Sequence, residues 1–462
     1  MRWAKKRVKT VPAGKRYASS PAVCRRWPPG FRILGAPARL SSAPGARYGR
    51  LAAHFGLPGS AGLREILEHL VRTMHAQPLP PVVVPTGPCK QNIRTGDAVD
   101  LEQFPVPLLH QQDGGRYLGT YGFHIVRTPD GAWTSWSVAR TMLRDRNTLV
   151  GPAMPQQHIG MMRELWRQRG QHTPWAMVLG APPAALAAAG MPLPERVSED
   201  GYVGALTGRP VEVVPAETND LQVPAHAEIV LEGGLSSDET APEGPMGEYH
   251  GYQFPEGRPQ PVFHVEAVTW RDDPVLLVCV AGLPPEENHT IRGTMISASA
   301  LDLLRTSGLP IDLAWCSYEP ATCWIVLSVD RARRAELGLT QQQLVDRVAQ
   351  VLFDSHVGWL VPKVILVGED IDITDIGQMV WALATRYHPG AGEHYFPDAP
   401  GIPLVPYLTP DEARAARGGK SVTNCLLPDG FRGTTASFHG SYPRPLQRHV
   451  LDNWTNYRYS GR

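Results

Sequence analysis

The stretch His289–Ser307, HTIRGTMISASALDLLRTS, divides the chain into two parts of different character. The stretch itself predicts one long helix. Before it, short apolar runs bounded by Gly and Pro predict a strand-rich region with few helices. After it, strands alternate with helices, for example Lys363–Val367 followed by Ile376–Arg386, and this alternation is typical of an α/β unit. We therefore expect two domains joined by a helix.

Charge is unevenly distributed along the chain. The 462 residues contain 45 Lys and Arg and 44 Asp and Glu, a formal net charge of +1. Residues 1–64 hold 14 of the basic residues and no acid, so residues 65–462 carry 31 basic and 44 acidic residues, a net charge of −13. An acidic body argues against a nucleic-acid partner. The stretch Met1–Arg26 is either a nucleic-acid or membrane-surface arm, an organelle transit peptide or a disordered tail. We expect the tail, so residues 1–28 are predicted to be basic and disordered.

Several other protein classes are excluded by the sequence. No apolar run approaches the roughly 18–20 residues that span a bilayer, so we expect no membrane association and a cytoplasmic location. The six cysteines are far apart and form no CxxC pair, which opposes a disulfide framework and a structural zinc site.

The densest group of reactive side chains lies at residues 242–252, PEGPMGEYHGY. Pro and Gly prevent a regular helix here, so Glu243 and Glu248 are expected on a shaped loop. Two acids in different surroundings can have different pKa values, one ionised beside a cation and the other protonated. The alternative is an ordinary polar surface loop.

Four further motifs are weak when taken singly, and each has a structural alternative. In WTSWSVAR, Arg140 ends a predicted strand and either grips an anion or is merely solvated. In PQQH, His158 starts a helix and is either a metal ligand or structural. In ETND, Glu217 either binds a divalent ion or belongs to a turn. In RGGKSVTN, Lys420 lies on a predicted Gly-rich loop that could approach a phosphate but lacks the P-loop spacing.

Taken in order, these five motifs resemble those of the UbiD family of reversible decarboxylases. The chain is most similar to the ferulic/cinnamic acid decarboxylases, which use prenylated FMN, and the similarity extends over roughly residues 29–430. The resemblance implies an α/β (α+β) fold whose cofactor domain contains a split β-barrel. It also implies homodimers or larger homo-oligomers. The implied divisions are a cofactor domain at 29–288, a linking helix at 289–308, an α/β dimerisation domain at 309–430 and a tail at 431–462 that packs on the partner subunit.

The resemblance also implies roles for particular residues. Arg140, Glu243 and Glu248 match the catalytic network, in which Glu248 delivers the proton after CO₂ leaves. His158 and Glu217 match ligands of Mn²⁺ or Mg²⁺. A K⁺ ion is expected near Trp136 and Glu217. The implied cofactor contacts are Ser135, Ser137, Val138, Ala139, Arg140, Gln157, His158, Glu217 and Lys420.

One site residue departs from the family pattern. Ser135 stands where the family usually has Asn as a metal ligand. Its shorter hydroxyl either binds the ion directly, binds through water or does not bind.

The expected reaction is non-oxidative decarboxylation, with the modified flavin supplied by a UbiX-type prenyltransferase. The expected substrates are, in order, a polyketide-type unsaturated acid, a cinnamic-type acid and a heteroaromatic acid such as pyrrole-2-carboxylate. The alternative is a catalytically impaired flavin-binding or scaffold protein.

Overall fold

A computed structural model describes residues 31–457, except positions 42, 44, 156, 192, 194, 255 and 455. The predicted basic tail, residues 1–28, lies outside the described residues. In the described part of the chain, none of the helices has the length and apolar surface needed to cross a membrane.

The region before residue 289 is strand-rich, as its turn-bounded apolar runs predict. Its strands are β1 Arg32–Gly35, β2 Val82–Val83, β3 Asn92–Thr95, β4 Gly122–Arg127, β5 Thr134–Ser137, β6 Met142–Leu143, β7 Thr148–Val150, β8 Thr173–Leu179, β9 Glu212–Pro215, β10 Gln222–Pro224, β11 Ile229–Glu243, β12 Arg258–Trp270 and β13 Val275–Val278. Its helices are α1 Gly49–His54, α2 Leu63–Met74, α3 His158–Arg167, α4 Pro183–Ala189 and α5 Asp200–Thr207.

The main sheet of this region is antiparallel and has eight strands. Seven strands follow the order β5-β4-β8-β11-β12-β7-β6, and β3 also pairs with β12. Among the described strands β5 and β6 do not pair with each other, so the sheet does not close into a barrel. The long strand β11 ends at Glu243 and the edge strand β5 ends at Ser137, so two of the candidate motifs span the ends of strands of this sheet.

The predicted linking helix begins with a π turn. Residues Asn288–Arg292 form this turn, and α6, Gly293–Thr306, continues it. Helix α6 packs against α2 and against the first strand of the following sheet. Ile296, Leu301 and Leu304 are buried in a hydrophobic core that contains residues from both regions. The helix is therefore part of a shared core rather than an exposed tether.

The region after α6 is an α/β unit, as the alternating pattern predicts. Its strands are β14 Ile311–Cys316, β15 Trp324–Val329, β16 Lys363–Gly368, β17 Glu393–Pro400 and β18 Arg417–Asn424, in the order β14-β15-β16-β18-β17. Its helices are α7 Arg331–Glu336, α8 Gln341–Phe353, α9 His356–Trp359, α10 Ile376–Arg386 and α11 Pro410–Ala415, followed in the tail by α12 Phe438–Ser441 and α13 Arg444–Asp452. The boundaries proposed for the domains stay a prediction.

The RGGKSVTN segment is a strand, so its interpretation as a Gly-rich loop is wrong. It forms β18, which is hydrogen-bonded between β16 and β17. Its glycines serve close packing, because a Cβ on Gly418 would lie 2.5 Å from Leu408 Cδ2 and one on Gly419 would lie 2.8 Å from the Tyr395 ring.

Replacing Leu301 by Ala tests whether α6 belongs to a core shared by both regions. Leu301 is fully buried, so the variant should lose about 2–5 kcal/mol of unfolding free energy. Urea unfolding followed by circular dichroism measures the loss. Leu337→Ala, at a side chain that is 39% exposed, is the control and should change stability by less than about 0.5 kcal/mol. An unchanged midpoint for Leu301→Ala would contradict the shared core.

Candidate active site

The PEGPMGEYHGY segment is a shaped loop, as its Pro and Gly content predicts. The Gly244–Pro245 peptide bond is cis, and Gly244 and Gly251 have positive φ. Two backbone hydrogen bonds close the turn, from Glu248 N to Tyr252 O and from Gly251 N to Glu248 O. Asp113 supports the loop from outside, since its Oδ1 accepts from Gly247 N at 3.2 Å. The loop thus holds Glu248 in a fixed place relative to the end of β11.

Arg140 joins the two loop carboxylates. Its Nε donates to Glu243 Oε1 at 2.9 Å and its Nη2 to Glu243 Oε2 at 3.2 Å, a bidentate pair. Its Nη1 lies 2.9 Å from Glu248 Oε1. Tyr117, which the sequence motifs did not single out, is fully buried and donates its hydroxyl to Glu243 Oε1 at 2.7 Å. The structure therefore brings Arg140, Glu243 and Glu248 together as predicted, and adds Tyr117.

The two carboxylates have different surroundings. Glu243 accepts hydrogen bonds from both Arg140 and Tyr117. Burial raises the pKa of Glu248, and the negative charge of Glu243 raises it further against the opposing effect of Arg140. Burial also raises the pKa of Tyr117, as does the charge of Glu243. Glu248 is thus the member of the pair that is set up to carry a proton.

A second cluster joins Ser135, His158 and Glu199. The atoms Ser135 Oγ, His158 Nδ1 and Glu199 Oε1 lie 3.2 Å from one another in each pair. Glu199 is buried, and its other oxygen accepts from the backbone N–H of Trp136 at 2.8 Å. Gln157 caps α3 just before His158, with an exposed side chain. One imidazole, one hydroxyl and one carboxylate converge here, a donor set that suits a divalent cation.

Glu217 is not part of this cluster, so its predicted place beside His158 and near Trp136 is not what the structure has. Its carboxylate pairs with Lys90 Nζ at 2.9 Å, and Lys90 also pairs with Glu232 at 3.0 Å. The backbone N–H of Glu217 donates to Glu232 as well. These contacts tie the loop after β9 to the first part of β11, and the carboxylate beside His158 belongs to Glu199.

The WTSWSVAR segment is a strand only as far as Ser137. Trp136 is buried, and its ring stacks on Phe123 with centroids 4.8 Å apart. Beyond the strand, Ala139 O accepts a hydrogen bond from His124 Nε2 at 3.1 Å. Val138 is 43% exposed. The segment therefore offers an open apolar surface between the Ser135 cluster and Arg140.

Lys420 lies in the second sheet, where it contacts Gly358 and Phe353 rather than the Ser135 cluster. Its Nζ is buried, donates to Gly358 O at 2.5 Å and lies 5.2 Å from the centroid of the Phe353 ring. Burial lowers the pKa of Lys420 to about 8. The group of this region that approaches the cluster is His356, whose pKa is lowered by burial and then by the charge of His158.

Glu199 is the residue of this cluster that the sequence motifs did not single out. It stands in VSEDGYVGAL directly before α5. An acid at that position has an ordinary explanation, since acidic residues are common at helix N-termini. Only the fold brings Glu199 to Ser135, which lies 64 residues away in the chain.

Comparison with known proteins identifies the family to which the chain belongs. Residues 82–284 match the family model for the UbiD 3-octaprenyl-4-hydroxybenzoate carboxy-lyase Rift-related domain, and residues 289–425 match the model for the C-terminal domain of that carboxy-lyase. Pyrrole-2-carboxylic acid decarboxylase of Pseudomonas aeruginosa is 59% identical over 435 residues, which cover 93% of this chain and 88% of the relative. Ferulic acid decarboxylase 1 of Saccharomyces cerevisiae is 40% identical over 439 residues, which cover 93% of this chain and 87% of the relative.

Solved structures of one further enzyme are similar in fold. The UbiD-class enzyme HmfF from Pelotomaculum thermopropionicum in complex with FMN has a TM-score of 0.75 and 26% identity, with 88% of this chain and 86% of that chain covered. An evolved dimeric form of HmfF in complex with prFMN has a TM-score of 0.71 and 25% identity, with 86% and 85% covered. The resemblance found in the five motifs is confirmed: the chain belongs to the UbiD family and is a decarboxylase.

Proposed function

We propose that this chain removes CO₂ from an aromatic or α,β-unsaturated carboxylic acid with the help of prenylated FMN. The observation that carries the proposal is Arg140 held between Glu243 and Glu248, where burial and the neighbouring Glu243 charge raise the pKa of Glu248. The complex of HmfF with prFMN supports the cofactor. The intact network also favours a working enzyme over a catalytically impaired scaffold.

The residues present fit a flavin and a divalent ion. Val138 presents apolar surface that a planar ring would cover, with Ser137 and Ala139 on either side. Cis ligands of a six-coordinate Mg²⁺ or Mn²⁺ lie about 3 Å apart, close to the 3.2 Å separations of Ser135 Oγ, His158 Nδ1 and Glu199 Oε1. In this proposal Ser135 would bind the ion directly despite its short side chain.

Holding the phosphate end of the flavin falls to several groups in this proposal. The metal cluster would hold it together with His356, and Gln157 would lie beside it at the start of α3. Lys420 would contribute positive charge near the phosphate from the far side of α9, where it donates to the backbone carbonyl of Gly358. A K⁺ ion would lie beside Trp136, with Glu199 in the role first given to Glu217.

Each residue of the network has a distinct task. When bound, the flavin supplies the sink for the electrons that departing CO₂ leaves behind. Glu248 delivers a proton to the carbon that has lost CO₂, and a raised pKa keeps that proton available closer to neutral pH. Tyr117 holds Glu243, Glu243 holds Arg140, and Arg140 in turn fixes the position of Glu248. The shaped loop excludes alternative positions of the donor.

Among the three expected substrate classes, the comparisons favour the heteroaromatic acids. The relative named for pyrrole-2-carboxylic acid is 59% identical, against 40% for the relative named for ferulic acid. We therefore place pyrrole-2-carboxylate first, a cinnamic-type acid second and a polyketide-type unsaturated acid third. A UbiX-type flavin prenyltransferase would supply the cofactor.

We further propose a homodimer in which residues 309–430 form the interface and the tail reaches the partner. In the tail, Tyr442, Leu446 and Tyr457 are 44–53% exposed. These side chains offer an apolar surface that a second subunit would cover.

Glu248→Gln tests the proton donor. Protein co-expressed with a flavin prenyltransferase and purified with Mn²⁺ and K⁺ should lose about 100-fold or more of its turnover of pyrrole-2-carboxylate, because a positioned general acid contributes that much. Its flavin absorption spectrum should be unchanged. Glu266→Gln, at an exposed acid on β12, is the control and should keep full activity. An active Glu248→Gln enzyme would remove Glu248 from this role, and an inactive wild-type enzyme with a full complement of flavin would refute the reaction.

A pair of matched variants tests the metal ligands. Glu199→Gln should lower Mn²⁺ occupancy at least tenfold at limiting metal, because it removes the carboxylate beside His158. Glu217→Gln should leave the occupancy unchanged, since Glu217 pairs with Lys90 instead. Elemental analysis of the purified proteins measures both. Loss of Mn²⁺ from the Glu217 variant alone would restore Glu217 as the ligand.

Lys420→Met tests the cost of the buried ammonium. Because the folded pKa of about 8 lies below the usual value of 10.5, the unfolded chain binds more protons between pH 8 and 10.5, and wild-type stability gains from this group as pH rises through that window. The variant should be more stable at pH 7, by at most about 3 kcal/mol, and the difference should shrink by pH 10. Urea unfolding at both pH values measures it. Equal stabilities at pH 7 would contradict the burial cost, and reduced flavin content would support the role at the phosphate.

A further inference from the structure

Arg292 is a partly buried arginine whose charge no acid of the described chain balances. It is the last residue of the π turn before α6, and turns of this kind are frequent at functional sites. Its guanidinium lies over the ring of Tyr249, with Cζ 4.6 Å from the centroid. Among the described residues no carboxylate lies within ion-pair distance of it, and its Nη2 is buried without a hydrogen-bond partner.

This arrangement is costly unless a ligand completes it. An arginine side chain does not give up its proton in proteins, so Arg292 cannot reduce the cost by becoming neutral. A buried donor without an acceptor costs free energy, and more so when the group is charged. Two neighbours of Arg292 are the thiols of Cys316 and Cys323. Burial raises the pKa of both thiols, although the charge of Arg292 opposes that rise. These thiols therefore do not supply an anion to Arg292. The second cation that acts on Cys323 is Lys363, which adds to the positive charge.

The position of Arg292 links it to the catalytic loop. Tyr249 directly follows Glu248, and its carbonyl accepts a hydrogen bond from His289 Nε2 at 2.6 Å. The backbone N–H of Glu286 donates to His289 Nδ1 at 2.9 Å, which leaves the proton on Nε2. The π turn is therefore joined to the residue after Glu248 twice, through the His289 hydrogen bond and the stacking of Arg292.

Arg140 is poorly suited to bind an acidic substrate on its own. Its Nε, Nη1 and Nη2 are all engaged by Glu243 and Glu248, and the Glu243 carboxylate already balances its charge. The acid that enters this site needs another cation. Arg292 has the unused donor and the unbalanced charge, and a guanidinium suits a carboxylate because it can offer two parallel N–H groups.

We propose that Arg292 recognises a carboxylate of the substrate and thereby selects acids over neutral ring compounds. The proposal rests on the proposed function, whose substrate it deepens. The carboxylate is either the one that leaves as CO₂ or a second one on the same ring, and the two cases share the same chemistry at Arg292.

Binding titrations on the flavin-loaded enzyme test this without relying on turnover. Isothermal titration calorimetry compares pyrrole-2-carboxylate, its neutral analogue pyrrole-2-carboxamide and pyrrole-2,5-dicarboxylate on wild type, Arg292→Gln and Arg292→Lys. Wild type should bind a carboxylate ligand at least about tenfold more tightly than the carboxamide, as expected for a hydrogen-bonded charged pair. Arg292→Gln should abolish that preference, and Arg292→Lys should keep part of it. Arg333→Gln, at an exposed arginine on α7 paired with Glu336, should behave as wild type.

The ligand series separates the two sources of the carboxylate. A loss confined to the dicarboxylate assigns Arg292 to a second acid group, and an equal loss for both acids assigns it to the reacting group. In steady-state assays of the same variants, KM should rise while the pH profile set by Glu248 is kept. An unchanged preference for acids in Arg292→Gln would overturn the proposal. Wild-type binding without turnover would instead count against the proposed function, while leaving the role of Arg292 supported.

Discussion

The bidentate pair between Arg140 and Glu243 is the interaction on which the rest of the site depends. It needs the end of β11 and the segment after β5 to meet, although three strand pairings of the main sheet separate the two strands. The hydroxyl of Tyr117 completes the shell around Glu243. Burial raises the pKa of the neighbouring Glu248, and the charge of Glu243, which two donors hold in place, adds to that rise against the opposing effect of Arg140. Burial and one fixed ion pair thus give two chemically identical side chains different surroundings.

The hydrophobic core around α6 connects the catalytic loop to the second region of the chain. Leu301 and Leu304 pack among side chains of both regions, so the start of the helix has a defined position. His289 and Arg292 use that position to contact Tyr249, next to the proton donor. The π turn therefore lies between the hydrophobic core and the catalytic loop. Burial of the helix contributes to the geometry of a site that contains none of its apolar residues.

How much the sequence could predict depended on the kind of signal. Glu243, Glu248 and Arg140 lie in motifs whose spacing is distinctive, and the structure brings them together. Glu199 lies where an acid has a common local explanation, and its contact with Ser135 is set by long-range packing that no spacing records. The loop predicted for the β18 segment was wrong for a related reason. Two consecutive glycines favour a loop by propensity, yet here they lie in a strand and make room for the Leu408 and Tyr395 side chains. Tertiary contacts outweighed local preference in both cases.

The charges of the site also explain why one arginine cannot serve both catalysis and recognition. Arg140 must stay paired with Glu243 to hold Glu248 in place, and any substrate carboxylate that drew it away would displace the proton donor. A second guanidinium, which is stacked on Tyr249 and has a buried Nη2 without a hydrogen-bond partner in the described chain, removes that conflict. The aromatic face stabilises the cation without neutralising it, so the charge of Arg292 is still available to an acid that enters. Separate arginines therefore allow the acid/base pair to keep its geometry while an anionic substrate is bound.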